Sequence, residues 1–383
     1  MSTSDMLTRL VAFDTTSRNS NIALIDFVRG YLDAHGVAYR VSVDRTGKDK
    51  ANIHAMIGPA VAGGIALSGH VDVVPVDGQA WSSDPFVLRA QGGRLYGRGS
   101  ADMKGFVASC LAAVPMLKAA GLKRPVHLFI TYDEETDMGG ARRLIEDIVE
   151  SGLRPEMCIV GEPSLMQPIL AHKGRLALRL TARGMAGHSS EPGKGVNAIH
   201  ALAEAIAYVA AEQRRFAAEG PFVEGFNPPH TTPHVGTMSG GSILNIIPEH
   251  ASCVMEWRCV PGDSPQAEVE RLRRHVTERI EPAMRAVHSA SGFTLEVIDD
   301  IPGMALDGDH ALATLTKRLA GFNSAGKVSY GTEGGLYQEA GIPTIVCGPG
   351  DIAQAHKPDE FIEVAQLDAC DRFIRRLADY LAT

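Results

Sequence analysis

The segment Val126-His127-Leu128-Phe129-Ile130-Thr131-Tyr132-Asp133-Glu134-Glu135 constrains this chain more than any other, because an apolar run ends abruptly in three consecutive acids. A short apolar run of this kind reads as a buried strand of a parallel sheet. In open α/β sheets ligands sit outside the carboxyl ends of such strands, which is where Asp133, Glu134 and Glu135 would stand. Adjacent carboxylates repel unless protons or cations offset them. The run therefore points to a metal or acid/base site, with a solvated acidic turn as the ordinary alternative.

The rest of the chain supplies the same strand-then-loop pattern. Strand-like runs at Ile65–Ser68 and Met157–Val160 lead into Gly69-His70-Val71-Asp72 and Gly161-Glu162-Pro163, and helical spacing over Met103–Leu117 places Asp102 at or just before a helix start. Strand, helix, strand, helix is the grammar of an α/β fold with a largely parallel mixed sheet flanked by helices. Near residue 175 the grammar changes to alternating strands (Arg175–Ala182, Thr232–Met238, Ala251–Val260) and two amphipathic helices. The expectation is a discontinuous catalytic domain over 1–174 and 291–383, interrupted by a small inserted α+β domain over 175–290. Phe293–Ile298 is expected to open the returning α/β part.

At 383 residues the chain is long enough for two domains. A formal charge of -8, 6% aromatics and no basic block disfavour nucleic acid as a partner. The first residues lack a charged segment followed by an apolar one, and no apolar run is long enough to span a membrane, so a cytoplasmic protein is expected. The six cysteines are scattered without CxxC pairing and read as reduced core residues.

His70, Asp102, Glu134, Glu135, Glu162 and the distant His356 are the candidate chemistry. Singly, each has an ordinary explanation: Asp102 as a helix N-cap, His70 as a turn histidine, Glu162 as a surface acid, His356 as one loop histidine among 14 histidines. Jointly they are two imidazoles and a set of carboxylates on strand ends that converge on one crevice. Such a set can hold two divalent cations that acidify a water and clamp an attacked amide. Imidazole with carboxylate suits zinc or cobalt better than magnesium or calcium.

Ser68-Gly69-His70-Val71-Asp72-Val73-Val74-Pro75, Gly97-Arg98-Gly99-Ser100-Ala101-Asp102-Met103-Lys104-Gly105, Asp133-Glu134-Glu135, Gly161-Glu162-Pro163 and Ala355-His356-Lys357-Pro358-Asp359-Glu360 together resemble the M20 family of dinuclear metallohydrolases. The resemblance runs in order along essentially the whole chain. It implies that His70, Asp102 and Glu162 bind one metal and Asp102, Glu135 and His356 the other, with Asp102 shared. It also implies a cis peptide at Asp102-Met103. Asp72 would orient the His70 ring, and Glu134 would be the general base that moves a proton from the attacking water to the leaving amine.

By the same resemblance the insert is a lid and dimerisation domain. His188, in Arg183-Gly184-Met185-Ala186-Gly187-His188-Ser189-Ser190, would stabilise the oxyanion in the partner subunit's site, making a homodimer part of the mechanism. Asn245 and Arg258 are candidates for gripping a substrate carboxylate, for which Arg offers a planar fork.

The stretch Tyr330-Gly331-Thr332-Glu333-Gly334-Gly335-Leu336-Tyr337 looks like the version in the branch that deacetylates N2-acetyl-L-ornithine in arginine biosynthesis. Thr332 would then contact the substrate backbone and Glu333 its δ-ammonium, or Glu333 is a structural hydrogen-bond acceptor. Two rivals remain: the same chemistry on another N-acyl amino acid or a dipeptide, and a fold kept only as a binding module. The intact set with the base Glu134 argues against the latter.

Overall fold

The computed structural model describes residues 1–383. Its contacts divide it into two units: Met1–Ala171 with Met304–Lys327 and Thr332–Thr383, and His172–Gly303 with Val328–Gly331.

Thirteen strands matter for the argument. They are β1 (Ala38–Val43), β2 (Ala51–Ile57), β3 (Ile65–His70), β4 (Val126–Thr131), β5 (Met157–Pro163), β6 (Ile169–His172), β7 (Gly174–Arg183), β8 (Thr232–Gly240), β9 (His250–Cys259), β10 (Gly292–Ile301), β11 (Met304–Ala305), β12 (Gly326–Val328) and β13 (Thr344–Gly348). The first unit is built on a nine-stranded sheet in the order β1-β2-β4-β3-β5-β13-β6-β11, with β12 added to β6. Its centre, β4-β3-β5-β13, is parallel, while β1, β2 and β6 pair antiparallel on either side.

Those central strands are buried along their whole length, which is why they read as continuous apolar runs rather than as alternation. Leu67, Leu128, Ile159 and Ile345 are each at most 1% exposed, a burial that stabilises by about 1.5–3 kcal/mol per side chain. The helix Lys104–Ala112 covers one face through Phe106, Val107, Ala108 and Leu111. It approaches so closely that a Cβ at Gly161 on β5 would collide with the ring of Phe106. Glycine there lets helix and strand touch one residue before Glu162.

The second unit is a four-stranded antiparallel sheet, β8-β9-β7-β10, with a core of its own. Alternate residues of β7 (Leu176, Leu178, Leu180, Ala182) and β9 (Cys253, Met255, Trp257) face the helix Ala198–Glu219 and the stretch Leu272–Met284. One sequence expectation is corrected here. The strand at 293–298 does not return to the α/β sheet; β10 pairs with β7 as an edge of the second sheet and lies inside the second unit. Alternating apolar residues identify a strand, but the sheet it joins depends on which edge is open, and β7 offers one.

Candidate active site

β3, β4 and β5 lie side by side and point the same way, so their carboxyl ends deliver His70, the Asp133–Glu135 turn and Glu162 to one place. Asp102 comes from the loop before the helix Lys104–Ala112 and is joined to Met103 by a cis peptide. Met103 occupies the N-cap position without a side-chain cap bond. Asp102 is therefore not spent as a cap.

His70, Asp102 and Glu162 hold ligand atoms within 4.8 Å of one another, and so do Asp102, Glu135 and His356. The two triads share Asp102. Its Oδ1 lies 3.2 Å from Nε2 of His70 and its Oδ2 3.3 Å from Nε2 of His356. Nε2 of His356 also stands 3.0 Å from Oε2 of Glu135, and Nε2 of His70 stands 3.6 Å from Oε1 of Glu162. His70, Asp102 and Glu162 are buried while His356 is exposed, so one triad is deep and the other opens to solvent. The residues read singly as a turn histidine and a surface acid are thus both interior.

Electrostatics match this crowding. Burial, with Glu162 adding repulsion, pushes the Glu134 carboxyl well up; burial and Asp102 do the same to Glu162, and they lift Glu135 to about 7. Burial also opposes ionisation of Asp102, but hydrogen bonds from His356 and His70 outweigh it and hold that carboxyl low. His356 rises to about 10 through Asp102 and Glu135. Carboxylates packed this tightly retain protons unless another positive charge is at hand. Glu162 Oε1 is buried with no hydrogen-bond partner. Two imidazole nitrogens and three carboxylates, one of them with an orphaned oxygen, fit a pair of divalent cations.

Nδ1 of His70, on the other side of the ring from the triad, lies 3.0 Å from the backbone O of Asp72 and 3.5 Å from its Oδ1. Asp133 is 1% exposed and ion-paired with Lys48 at 2.6 Å and with the buried Lys50. Both Asp133 (φ 57°) and His356 (φ 64°) adopt the left-handed conformation, which a non-glycine residue keeps only where its surroundings enforce it. Lys50, Arg98 and Glu360 escape a reading of the sequence as participants. Arg98 and Glu360 do fall inside two of the motifs, whereas nothing marks Lys50.

The remaining candidates divide between the units. Thr332 is buried and accepts a hydrogen bond from Gly334 N at 3.0 Å. Glu333, 1% exposed, accepts from Ser68 Oγ at 3.3 Å and Tyr337 OH at 3.4 Å, leaving Oε1 unpartnered. In the second unit His188 is exposed, its strand Gly187–His188 pairs with Ile246–Ile247, and Ser189 N donates to Asn245 O at 3.1 Å, which puts His188 and Asn245 together. Arg258 lies on β9 and pairs with Glu256 at 3.1 Å.

The solved structures of similar fold include aminopeptidase PepT from Bacillus cereus (TM-score 0.76, 20% identity, 100% of this chain and 98% of that one). They also include an M20 family metallo-carboxypeptidase from Sulfolobus solfataricus (TM-score 0.74, 17% identity, 99% of each chain). Among curated relatives, acetylornithine deacetylase of Yersinia pseudotuberculosis is 36% identical over 373 residues, 96% of this chain and 93% of that protein. The acetylornithine deacetylase of Myxococcus xanthus is 36% identical over 380 residues, 97% of this chain and 95% of that protein. The family described as peptidase family M20/M25/M40 matches residues 66–380. With the family's pattern spanning the parallel centre of the sheet and both candidate triads, and with relatives of this identity along nearly the whole length, the chain belongs to the M20/M25/M40 peptidase family.

Proposed function

We propose that the protein is a metal-dependent amidohydrolase that removes the acetyl group from N2-acetyl-L-ornithine, giving L-ornithine and acetate, as a cytoplasmic step of arginine biosynthesis. The observation that carries the reading is the pair of triads sharing Asp102, with Glu134 close enough to feel the charges of Glu162, His70, Glu135 and Asp102. Relatives named acetylornithine deacetylase support the substrate.

His70, Asp102 and Glu162 would hold one cation and Asp102, Glu135 and His356 the other. Two zinc or cobalt ions there would acidify the attacking water and polarise the amide carbonyl. Glu134 takes the water's proton and returns it to the leaving amine. Asp72 holds the His70 ring. Thr332 and Glu333 serve the substrate backbone and its δ-ammonium, and Asn245 and Arg258 serve the α-carboxylate.

His188 acts at the oxyanion of a partner subunit within a homodimer. Exposed Met238, Ile243, Leu244 and Ile246 on the second unit support a partner there. No helix is long and apolar enough to cross a membrane.

A second reading is deacylation of another N-acyl amino acid, such as succinyl-diaminopimelate or acetylcitrulline, or cleavage of a dipeptide. It is favoured by the burial of Glu333 against Ser68 and Tyr337. Metal analysis of the purified chain with kcat/KM on these substrates decides. Two metals per chain and the highest value on acetylornithine are expected; a higher value on another amide would transfer the assignment to that substrate.

A further inference from the structure

Glu360 is buried, 1% exposed, and the proposed chemistry does not use it. Its Oε1 accepts from Ala101 N at 2.9 Å and Asp102 N at 3.1 Å; its Oε2 accepts from Gly99 N at 3.0 Å and Arg98 Nη1 at 2.7 Å. Three backbone N–H groups of one loop thus converge on a single side chain. Arg98, also 1% exposed, donates back to Lys357 O at 3.3 Å, and Gly97 N donates to Glu360 O at 2.9 Å. A carboxylate with four donors in a dry environment is a stiff junction, because charge-assisted hydrogen bonds are short and moving any of them leaves a buried charge unsatisfied.

What this junction joins is informative. One side is the loop that ends in Asp102; the other leaves the chain four residues after His356. Asp102 turns Oδ1 to His70 and Oδ2 to His356, so the separation of the two triads depends on how segment 99–102 sits against segment 356–360. These segments are more than 250 residues apart in sequence, and Glu360 is a covalent part of one and a hydrogen-bonded part of the other. We propose that Glu360 is a positioning residue that sets the distance between Asp102 and His356 and thereby the second of the two metal positions.

The inference rests on the dinuclear reading, and the experiment separates the two. Metal-free full-length wild type, Glu360→Asp and Glu360→Gln are titrated with Co²⁺ by calorimetry and visible absorption. Wild type is expected to take up two ions. Glu360→Asp keeps the charge opposite Arg98 but shortens the reach to the loop N–H groups, and Glu360→Gln turns an amide N–H₂ toward donors. Each is expected to weaken the second binding step 10- to 100-fold, the usual effect of losing a group that supports a ligand, with an unchanged far-UV spectrum. Two Co²⁺ bound with wild-type affinity in Glu360→Asp would overturn the proposal. Loss of the metal-free fold in that variant would also overturn it, since Glu360 would then serve stability alone. If wild type binds no Co²⁺, the dinuclear reading fails and takes this inference with it.

Discussion

The backbone N–H of Glu134 donates to Oδ1 of Asp72 at 3.0 Å, and that of Glu135 reaches Oδ2 at 3.3 Å. The same carboxylate accepts from Ser17 Oγ at 2.7 Å and faces His70 Nδ1 at 3.5 Å. Asp72 therefore reaches more than an imidazole; it also ties the turn carrying Glu134 and Glu135 to the strand end carrying His70. Asp72→Asn places an N–H₂ against N–H donors and should lower metal affinity 10- to 100-fold, with a comparable fall in kcat. Wild-type metal binding in that variant, measured by titration of the metal-free chain, would remove this role.

Glu134 and Glu135 are neighbours with different expected parts. Glu134→Ala should keep both metals and lose about 10²- to 10⁴-fold in kcat, the range for a general base, whereas Glu135→Ala should lose metal. Metal content and turnover measured on the same preparations check this. Parallel loss of metal and turnover in Glu134→Ala counts against the division.

Asp133 is buried between two lysines of unequal exposure: Lys50 is 6% and Lys48 40% exposed. Lys50 also reaches Ser17 O, joining the Asp133 turn to the segment that bonds Asp72. Lys50→Met should cost about 3 kcal/mol, since a buried partner is removed from a buried charge. Lys48→Met should cost at most about 1 kcal/mol because solvent screens it. Equal losses by urea denaturation would show that burial is not what matters.

His54 and His127 predict a pH dependence away from the site. His127 Nε2 lies 2.8 Å from Gly63 O, an acceptor, so that nitrogen carries the proton and donates. Its Nδ1 then accepts from His54 Nε2 at 2.9 Å, leaving His54 Nδ1 buried with no partner for a second proton. Burial and the facing His127 push His54 down to about 3, and burial lowers His127 too. In the unfolded chain histidine titrates near 6.5, so between about 6.5 and 3 the unfolded state binds more protons. This contribution to stability is complete above pH about 6.5 and is lost as pH falls. Urea midpoints from pH 7 to 4 should fall more steeply for wild type than for His54→Gln. Superimposable pH profiles would exclude the pair as a cause.

Glu333 poses a choice between substrate specificity and support. Glu333→Gln should reduce kcat/KM on acetylornithine more than on acetylmethionine if the carboxyl meets the δ-ammonium. Equal reductions on the two substrates would assign it to the Ser68–Tyr337 network instead.

The sequence by itself determined the element types, the central parallel sheet, the family and the order along the chain of the residues that form the two triads. Those features are written locally: continuous apolar runs mark strands buried on both faces, helical spacing marks the covering helix, and in a parallel sheet each strand end must face the same crevice. Tertiary structure alone decided which strand edge takes β10, that Asp133 is held by Lys48 and Lys50, and that Glu360 gathers the Asp102 loop. In sequence Lys50 is indistinguishable from any solvated lysine, and Glu360, though it closes the His356 motif, carries no sign of the loop it binds. Their roles arise from partners 83 and 258 residues away. Such pairings are set by the packing of whole elements, which no local periodicity records.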